Sequence, residues 1–312
     1  MRDLRQYRLT SAELNVQTKH MKLEEMTMDA SAPVMVGIDG STASVRAAVW
    51  AADEAAARDT ALDLIYVVDL ASDQDLDDAM VVARHALHRA WEAVAKSDKH
   101  VKVESEILQG NPILELADAG QRAALLCLGH KGMKDSAPMS RGSTASNLAR
   151  MAPTTVAVVR RRHTHRRPTF HRWIVAVLDE SEASHAVLQT ALDEAVLREA
   201  PVLALTTWPA NRAGGSESCT NAAGIRAKMD RYLADARENP ADVQVCVLPM
   251  PHDLTNLLEQ SSSIEQLFVV SSGRHDFVDQ LTGARARKAM RGTNCSVLVV
   301  HDDTSAELDP LD

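Results

Sequence analysis

The chain has 312 residues, 45% hydrophobic and 25% charged, which suits two globular domains of roughly 150 residues each and excludes a disordered, collagen-like or low-complexity chain. With 34 basic against 43 acidic residues the net charge is −9, which argues against a nucleic-acid binder, whose phosphate contacts need a basic surface. Four Trp, three Tyr and three Phe also leave little aromatic surface for stacking single-stranded bases.

Residues 1–30 show no periodic pattern and read as a flexible tail; MRDLRQYRLTSAELNVQTKH has no apolar core and is not a secretory signal. No apolar run approaches the ~20 residues that span a bilayer, so a cytoplasmic protein without a membrane partner is expected. Val34–Ile38 is a short apolar run, as a strand buried on both faces should be. An Ala-rich helix follows over 43–58, with Ser41 or Thr42 as N-cap. Leu62–Val68 reads as a strand, 72–78 as an acidic loop and 79–96 as a long helix. Val101–Leu108 alternates as a strand does, and Pro112 opens a further helix. Leu125–Leu128 is a strand, Ser143–Met151 a helix and Thr155–Val159 a strand. RRRHTHRRP (160–168) reads as a solvated basic linker, because the acidic remainder offers no basic surface to extend a patch. Strands then recur at 173–178, 202–207, 243–248, 267–270 and 296–300, before an acidic tail.

The second series repeats the first. VMVGIDGSTASVRAAVWAADEAAAR (34–58) answers IVAVLDESEASHAVLQTALDEAVLR (174–198) at an offset of 140, and RMAPTTVAVV (150–159) answers RGTNCSVLVV (291–300) at 141. The expected division is a tail at 1–30, a first domain at 31–160, a linker at 161–170, a second domain at 171–302 and a tail at 303–312. Strands alternating with helices imply an α/β class: two tandem, open, parallel-sheet α/β sandwiches of Rossmann-like type. Ligands of such sheets bind beyond the carboxyl ends of the strands, where strand order reverses.

One constellation carries chemistry. After Leu125–Leu128 comes GHKGMKDSAPMSRGST, with glycines spaced Gly129-x2-Gly132-x9-Gly142-Ser143. Gly129 and Gly132 permit tight turns and close backbone approach. Gly142, Ser143 and Thr144 start a helix whose free N–H groups favour an anion, and His130, Lys131, Lys134 and Arg141 add positive charge. This is neither a Walker A loop nor GxGxxG. Other patterns offer less. Cys127, Cys219, Cys246 and Cys295 form no CxxC pair and read as reduced thiols. His85 and His88 share a helix face but lack an evident third ligand, and no GxSxG or HExxH occurs. No catalytic residue and no metal site are expected.

The spacing G-x2-G-x9-G-[ST] resembles the signature of the universal stress protein family, with its adenine nucleotide alpha hydrolase-like fold. VGIDGS (36–41), LIYVVD (64–69) and QGNP (109–112) resemble that family's first strand, second strand and Gly-x-Pro turn. The resemblance implies ATP binding, with magnesium as an accompanying ion. It assigns Asp39, with Gly40 and Ser41, to the adenosine part and Val67 to the base through its backbone. Gly129, His130, Gly132, Gly142, Ser143 and Thr144 would hold the phosphates. In the second unit Asp179, Gly273 and Gly283 would form a weaker site or none. There Val270 is expected to replace the first glycine, Ala284 the Ser/Thr and Thr207 the valine, while Arg274, Arg285 and Arg287 offer compensating charge. The family relation implies a regulatory or stress-response module that couples nucleotide to conformation or to an unidentified protein partner. Its two domains would pair through Val156–Val159 and Val297–Val300, and a homodimer of whole chains is open. A slow ATPase or self-phosphorylating protein and a non-nucleotide dimeric scaffold are the alternatives.

Overall fold

Runs of Val, Ile and Leu bounded by glycine and polar residues form strands that are apolar on both faces, which only a sheet covered on both sides can hide. The computed structural model describes residues 6–9, 32–71, 75–97, 99–130, 144–160, 172–179, 181–208, 227, 231, 243–251, 265–283 and 295–301. The chain divides into two units, Met1–Arg160 and Arg161–Asp312.

In the first unit the elements are β1 (Gln6–Leu9), β2 (Val34–Ile38), α1 (Thr42–Ala57), β3 (Leu62–Val68), α2 (Leu76–Ala95), β4 (Val103–Gln109), α3 (Pro112–Gly120), β5 (Leu125–Gly129), α4 (Thr144–Met151) and β6 (Val156–Val159). Their order across the sheet is β1-β4-β3-β2-β5-β6. All pairs are parallel except β1 with β4. The chain runs outward from β2 through β3 to β4, then returns to place β5 on the other flank of β2. The order therefore reverses between β2 and β5.

The second unit repeats this with β7 (Arg172–Leu178), α5 (Ala183–Arg198), β8 (Val202–Trp208), β9 (Val245–Pro251), β10 (Glu265–Ser271), α6 (His275–Thr282) and β11 (Cys295–Val300). The strands are all parallel, in the order β11-β10-β7-β8-β9. Here the order reverses between β7 and β10. The expected α/β class and tandem parallel sheets are what the structure has.

Alanine sets how closely α1 sits on its sheet. Ala47, Ala48, Ala51, Ala52 and Ala55 are all fully buried on α1, which packs on β2, β5 and α2. Glu54 is buried on the same helix and pairs with Arg58, Nη2 to Oε2 3.4 Å. The equivalent Glu194 is buried on α5 and pairs with Arg198. Each buried carboxylate thus has a cation one helical turn away, which offsets part of its desolvation.

Three elements differ from the sequence reading. β1 lies in a stretch that patterning leaves without structure. QYRL is too short to show periodicity, and pairing with β4 makes it a strand: Gln6 faces Leu108 and Leu9 faces Ser105. The acidic loop is partly the start of α2. Asp75 caps it by accepting from the Asp77 N–H at 2.8 Å, and Asp77 and Asp78 sit in the first turn, where the helix dipole favours negative charge. α6 has no counterpart in the sequence reading; Phe277, Val278 and Leu281 bury one face of its two turns.

A long edge strand with free N–H and C=O groups is exposed to exchange and to pairing with other chains. Deleting residues 1–9 is expected to raise amide exchange between Ser105 and Leu108 while the buried β2 and β5 amides stay protected. Hydrogen exchange read by mass spectrometry checks this.

Candidate functional site

β2 ends at Ile38, and the chain turns at once into α1. Gly40 makes that turn with φ of +81°, a conformation that side chains rarely adopt. Asp39 Oδ1 accepts from the Ser41 N–H at 2.9 Å, and Ser41 Oγ accepts from the Ser44 N–H at 3.1 Å as the N-cap of α1. Ser44 Oγ donates to the Ser41 carbonyl at 3.0 Å. The carboxylate of Asp39 is thereby fixed at the carboxyl end of β2, at the point where strand order reverses.

Gly129 ends β5 on the other flank. A Cβ there would stand 2.6 Å from the Ala43 carbonyl carbon and 2.7 Å from the Ser44 nitrogen. Glycine is thus what lets the first turn of α1 approach β5. His130 follows, its N–H donating to the Val159 carbonyl at 3.2 Å with Nδ1 at the same distance from that oxygen. Asp39, Gly40, Ser41, Gly129 and His130 are brought to one end of the sheet by this packing. Val67 lies at the end of β3, paired in register with Leu108. Thr144 opens α4. Gly132, Gly142 and Ser143, with Lys131, Lys134 and Arg141, lie outside the described residues.

Two further residues meet the turn and carry no local sequence signal. Arg89 on α2 donates from Nη1 to the Gly40 carbonyl at 3.2 Å, across 49 positions of chain. Tyr66 pairs in register with Ile38. Burial first, and the negative charge of Asp39 second, push its phenol above its ordinary value, so it lies within electrostatic reach of that carboxylate.

The second unit is built differently at the same place. Ala176 pairs with Val269 as Val36 pairs with Cys127, and Ser271 pairs with Val300 as Gly129 pairs with Val159. Ser272 N–H reaches the Val300 carbonyl at 2.8 Å as His130 N–H reaches that of Val159. The residue in the place of Gly129 is therefore Ser271, not Val270 as the sequence spacing suggested. Glycine spacing slid the alignment by one position, whereas the strand register fixes it. Counting on from the strand, Arg274 falls at the place of Gly132. Gly283 closes α6, its N–H donating to the Asp279 carbonyl at 2.9 Å. Ala284, Arg285 and Arg287 lie outside the described residues. Thr207 holds the place of Val67, since Leu178 pairs with Thr206 as Ile38 pairs with Tyr66.

Asp179 is enclosed. Its Oδ1 accepts from the Ser181 N–H at 2.9 Å, from Ser181 Oγ at 2.5 Å and from Ser184 Oγ at 3.0 Å. Its Oδ2 takes Arg274 Nη1. Burial pushes the Asp179 carboxyl upward, but the Ser181 hydroxyl, Arg274 and the Ser181 N–H together hold it below the usual carboxylate value.

Elsewhere, His88 Nε2 lies 3.2 Å from Glu92 Oε1 and its ring stacks on Trp91. No group of three or more His, Cys, Asp or Glu that could hold a metal ion occurs among the described residues. Cys127, Cys246 and Cys295 are free thiols. No described helix is long and apolar enough to cross a membrane.

Fold and site together define a tandem pair of Rossmann-like units, each with a carboxylate at its topological switch point. The model of the universal stress protein family matches residues 31–160 and 171–301, and the chain belongs to that family. Universal stress protein Rv2028c of Mycobacterium tuberculosis H37Rv is 34% identical over 274 residues, covering 86% of this chain and 95% of its own. A solved universal stress protein from Archaeoglobus fulgidus DSM 4304 has a TM-score of 0.61 at 13% identity, covering 87% of this chain and 98% of that one. A solved universal stress protein in complex with cAMP is 28% identical over 42% of this chain and 98% of its own, with a TM-score of 0.33.

Two outcomes are expected. Gly129→Ala forces a Cβ into the backbone of α1 and is expected to cost about 1–3 kcal/mol, read as a lower urea midpoint. Asp179 has a folded value below its unfolded one of about 3.9, so its stabilisation is present above that pH and is lost as pH falls through the folded value. Asp179→Asn is expected to remove that part of the acid destabilisation, read from melting temperatures of both proteins across the acid range.

Proposed function

We propose that the first unit binds an adenine nucleotide, ATP with magnesium, at the carboxyl ends of β2, β3 and β5, and that the protein works as a nucleotide-dependent regulatory module of the stress response. The observation that carries this is the convergence of Asp39 and Gly129 at the switch point, with backbone packed closely between them. A fixed carboxylate accepts from ribose hydroxyls or a base amino group. Val67 offers main-chain groups to the base. Gly129 and His130 precede the segment of sequence that carries Gly132, Gly142 and Ser143 and leads to Thr144 at the start of α4. Its glycines and the N-terminus of α4 suit phosphate oxygens, which favour free N–H groups at a helix start. The Arg89 contact to Gly40 stiffens the turn that carries Asp39.

Regulation then requires two conformations with different affinity for the nucleotide, since a ligand bound equally well by both shifts neither. Asp39, Gly40 and Ser41 sit on the turn between β2 and α1, and this turn is a part that can differ between two such states.

Freshly purified full-length chain is denatured and the released nucleotide identified and counted by mass spectrometry, beside Asp39→Ala and Gly142→Val. About one ATP per chain, lost in both variants, is expected for a single strand-end site. ADP in its place, with phosphate release lost in Gly142→Val, moves the reading to a slow ATPase. No nucleotide, and no binding on titration with ATP and magnesium, contradicts the proposal in favour of a scaffold.

A further inference from the structure

Asp39 and Asp179 hold the same place in two copies of one fold, yet the cation beside Asp179 comes from the very loop that would cradle phosphates. We infer that Arg274 closes the strand-end site of the second unit, its guanidinium standing where the donors of a nucleotide would meet Asp179, so that a single substitution reopens the site. This rests on the reading of the first unit as an adenine-nucleotide site.

The geometry is that of a built latch. Arg274 Nη1 pairs with Asp179 Oδ2, while Nε and Nη2 donate to Asp276 Oδ1 and Oδ2 at 3.1 and 3.0 Å. The guanidinium carbon lies 4.2 Å from the centre of the Phe277 ring, a cation–π contact that shields one face. All three guanidinium nitrogens are thus engaged between two carboxylates. Arginine suits this fork, where lysine offers only a point charge. The pair is sheltered, with side chains 25% and 17% exposed, so water screens it less than a surface pair.

Oδ1 of Asp179 is occupied as well. Ser181 and Ser184 both turn their hydroxyls to Oδ1. In the first unit Ser41 Oγ accepts the Ser44 N–H, and Ser44 Oγ donates to the Ser41 carbonyl and accepts from the Asp39 N–H at 3.4 Å. α5 accordingly starts at Ala183, one position later than α1 in the repeat, and its N-cap Glu182 makes no side-chain cap bond. Ser271, in the place of Gly129, accepts from the Gly273 N–H at 3.2 Å and so serves its own turn. A nucleotide entering here would have to displace a cation held by two carboxylates and a ring. The tandem chain thereby responds to nucleotide through one unit.

The test uses the full chain with Asp39→Ala, which removes the first site, and adds either Arg274→Gly or Arg274→Gln. ATP with magnesium is titrated, and binding is read both as nucleotide per chain and as the rise in melting temperature that a ligand of the folded state produces. Circular dichroism confirms that each variant folds. Asp39→Ala alone is expected to bind none. Either Arg274 variant is expected to restore about one nucleotide per chain, because the cation that occupies Asp179 has been removed. Adding Asp179→Ala should abolish that gain. If the wild-type chain binds nucleotide and both folded Arg274 variants in the Asp39→Ala background bind none, the latch is overturned and the reading of the first unit stands. If Asp39→Ala keeps a nucleotide that Asp179→Ala removes, Arg274 does not close the site and the inference is overturned. If neither the wild-type chain nor any Arg274 variant binds, both readings fall.

Discussion

A carboxylate at the end of the first core strand of each unit, set where the strand order reverses, is the constraint from which the rest follows. The parallel sheet leaves a crevice at that place, between β2 and β5 in one unit and β7 and β10 in the other. A partly buried charge there is stabilised by backbone, by a side chain or by a ligand, because the neighbouring strands are largely apolar. Asp39 accepts from the amide of its own turn. Asp179 gathers two hydroxyls, an amide and a guanidinium.

Packing explains how the difference arises from few residues. The alanine face of α1 and the missing side chain of Gly129 bring the helix start against β5, with no room for one more carbon. The second unit has Ser271 there, begins its helix later and lets both serines turn inward to Asp179. Arg274, at the place of a glycine, then reaches the carboxylate. Changes of a few side chains, not of the fold, bring a guanidinium onto Asp179. The buried Glu54–Arg58 and Glu194–Arg198 pairs, repeated in both units, belong to the shared framework.

Most of the fold was legible because its strands are continuous apolar runs and its helices are bounded by strong caps. Asn111 before Pro112 is one such start, accepting from the Ile113 N–H at 2.9 Å. The repeat at Asp39 and Asp179 pointed to both strand ends. What escaped had a physical reason. β1 exists only through a partner distant in sequence, and Asp75, Asp77 and Asp78 read as a loop because a capped helix start is as polar as one. Glycine spacing misplaced the second loop by one residue, since spacing cannot see strand register. Tyr66, Arg89 and the pairing of Arg274 with Asp179 depend on contacts across the fold that no local pattern announces.

The proposal makes the two strand ends unequal: the first takes nucleotide, and the second holds a guanidinium of the protein itself. A crystal structure of the wild-type chain grown with ATP and magnesium tests this most directly. The account predicts one nucleotide, with its adenosine part at Asp39 and its phosphates over Gly129 and the N-terminus of α4, while Arg274 remains paired with Asp179. A nucleotide at Asp179 with Arg274 swung away, and none at Asp39, would contradict it.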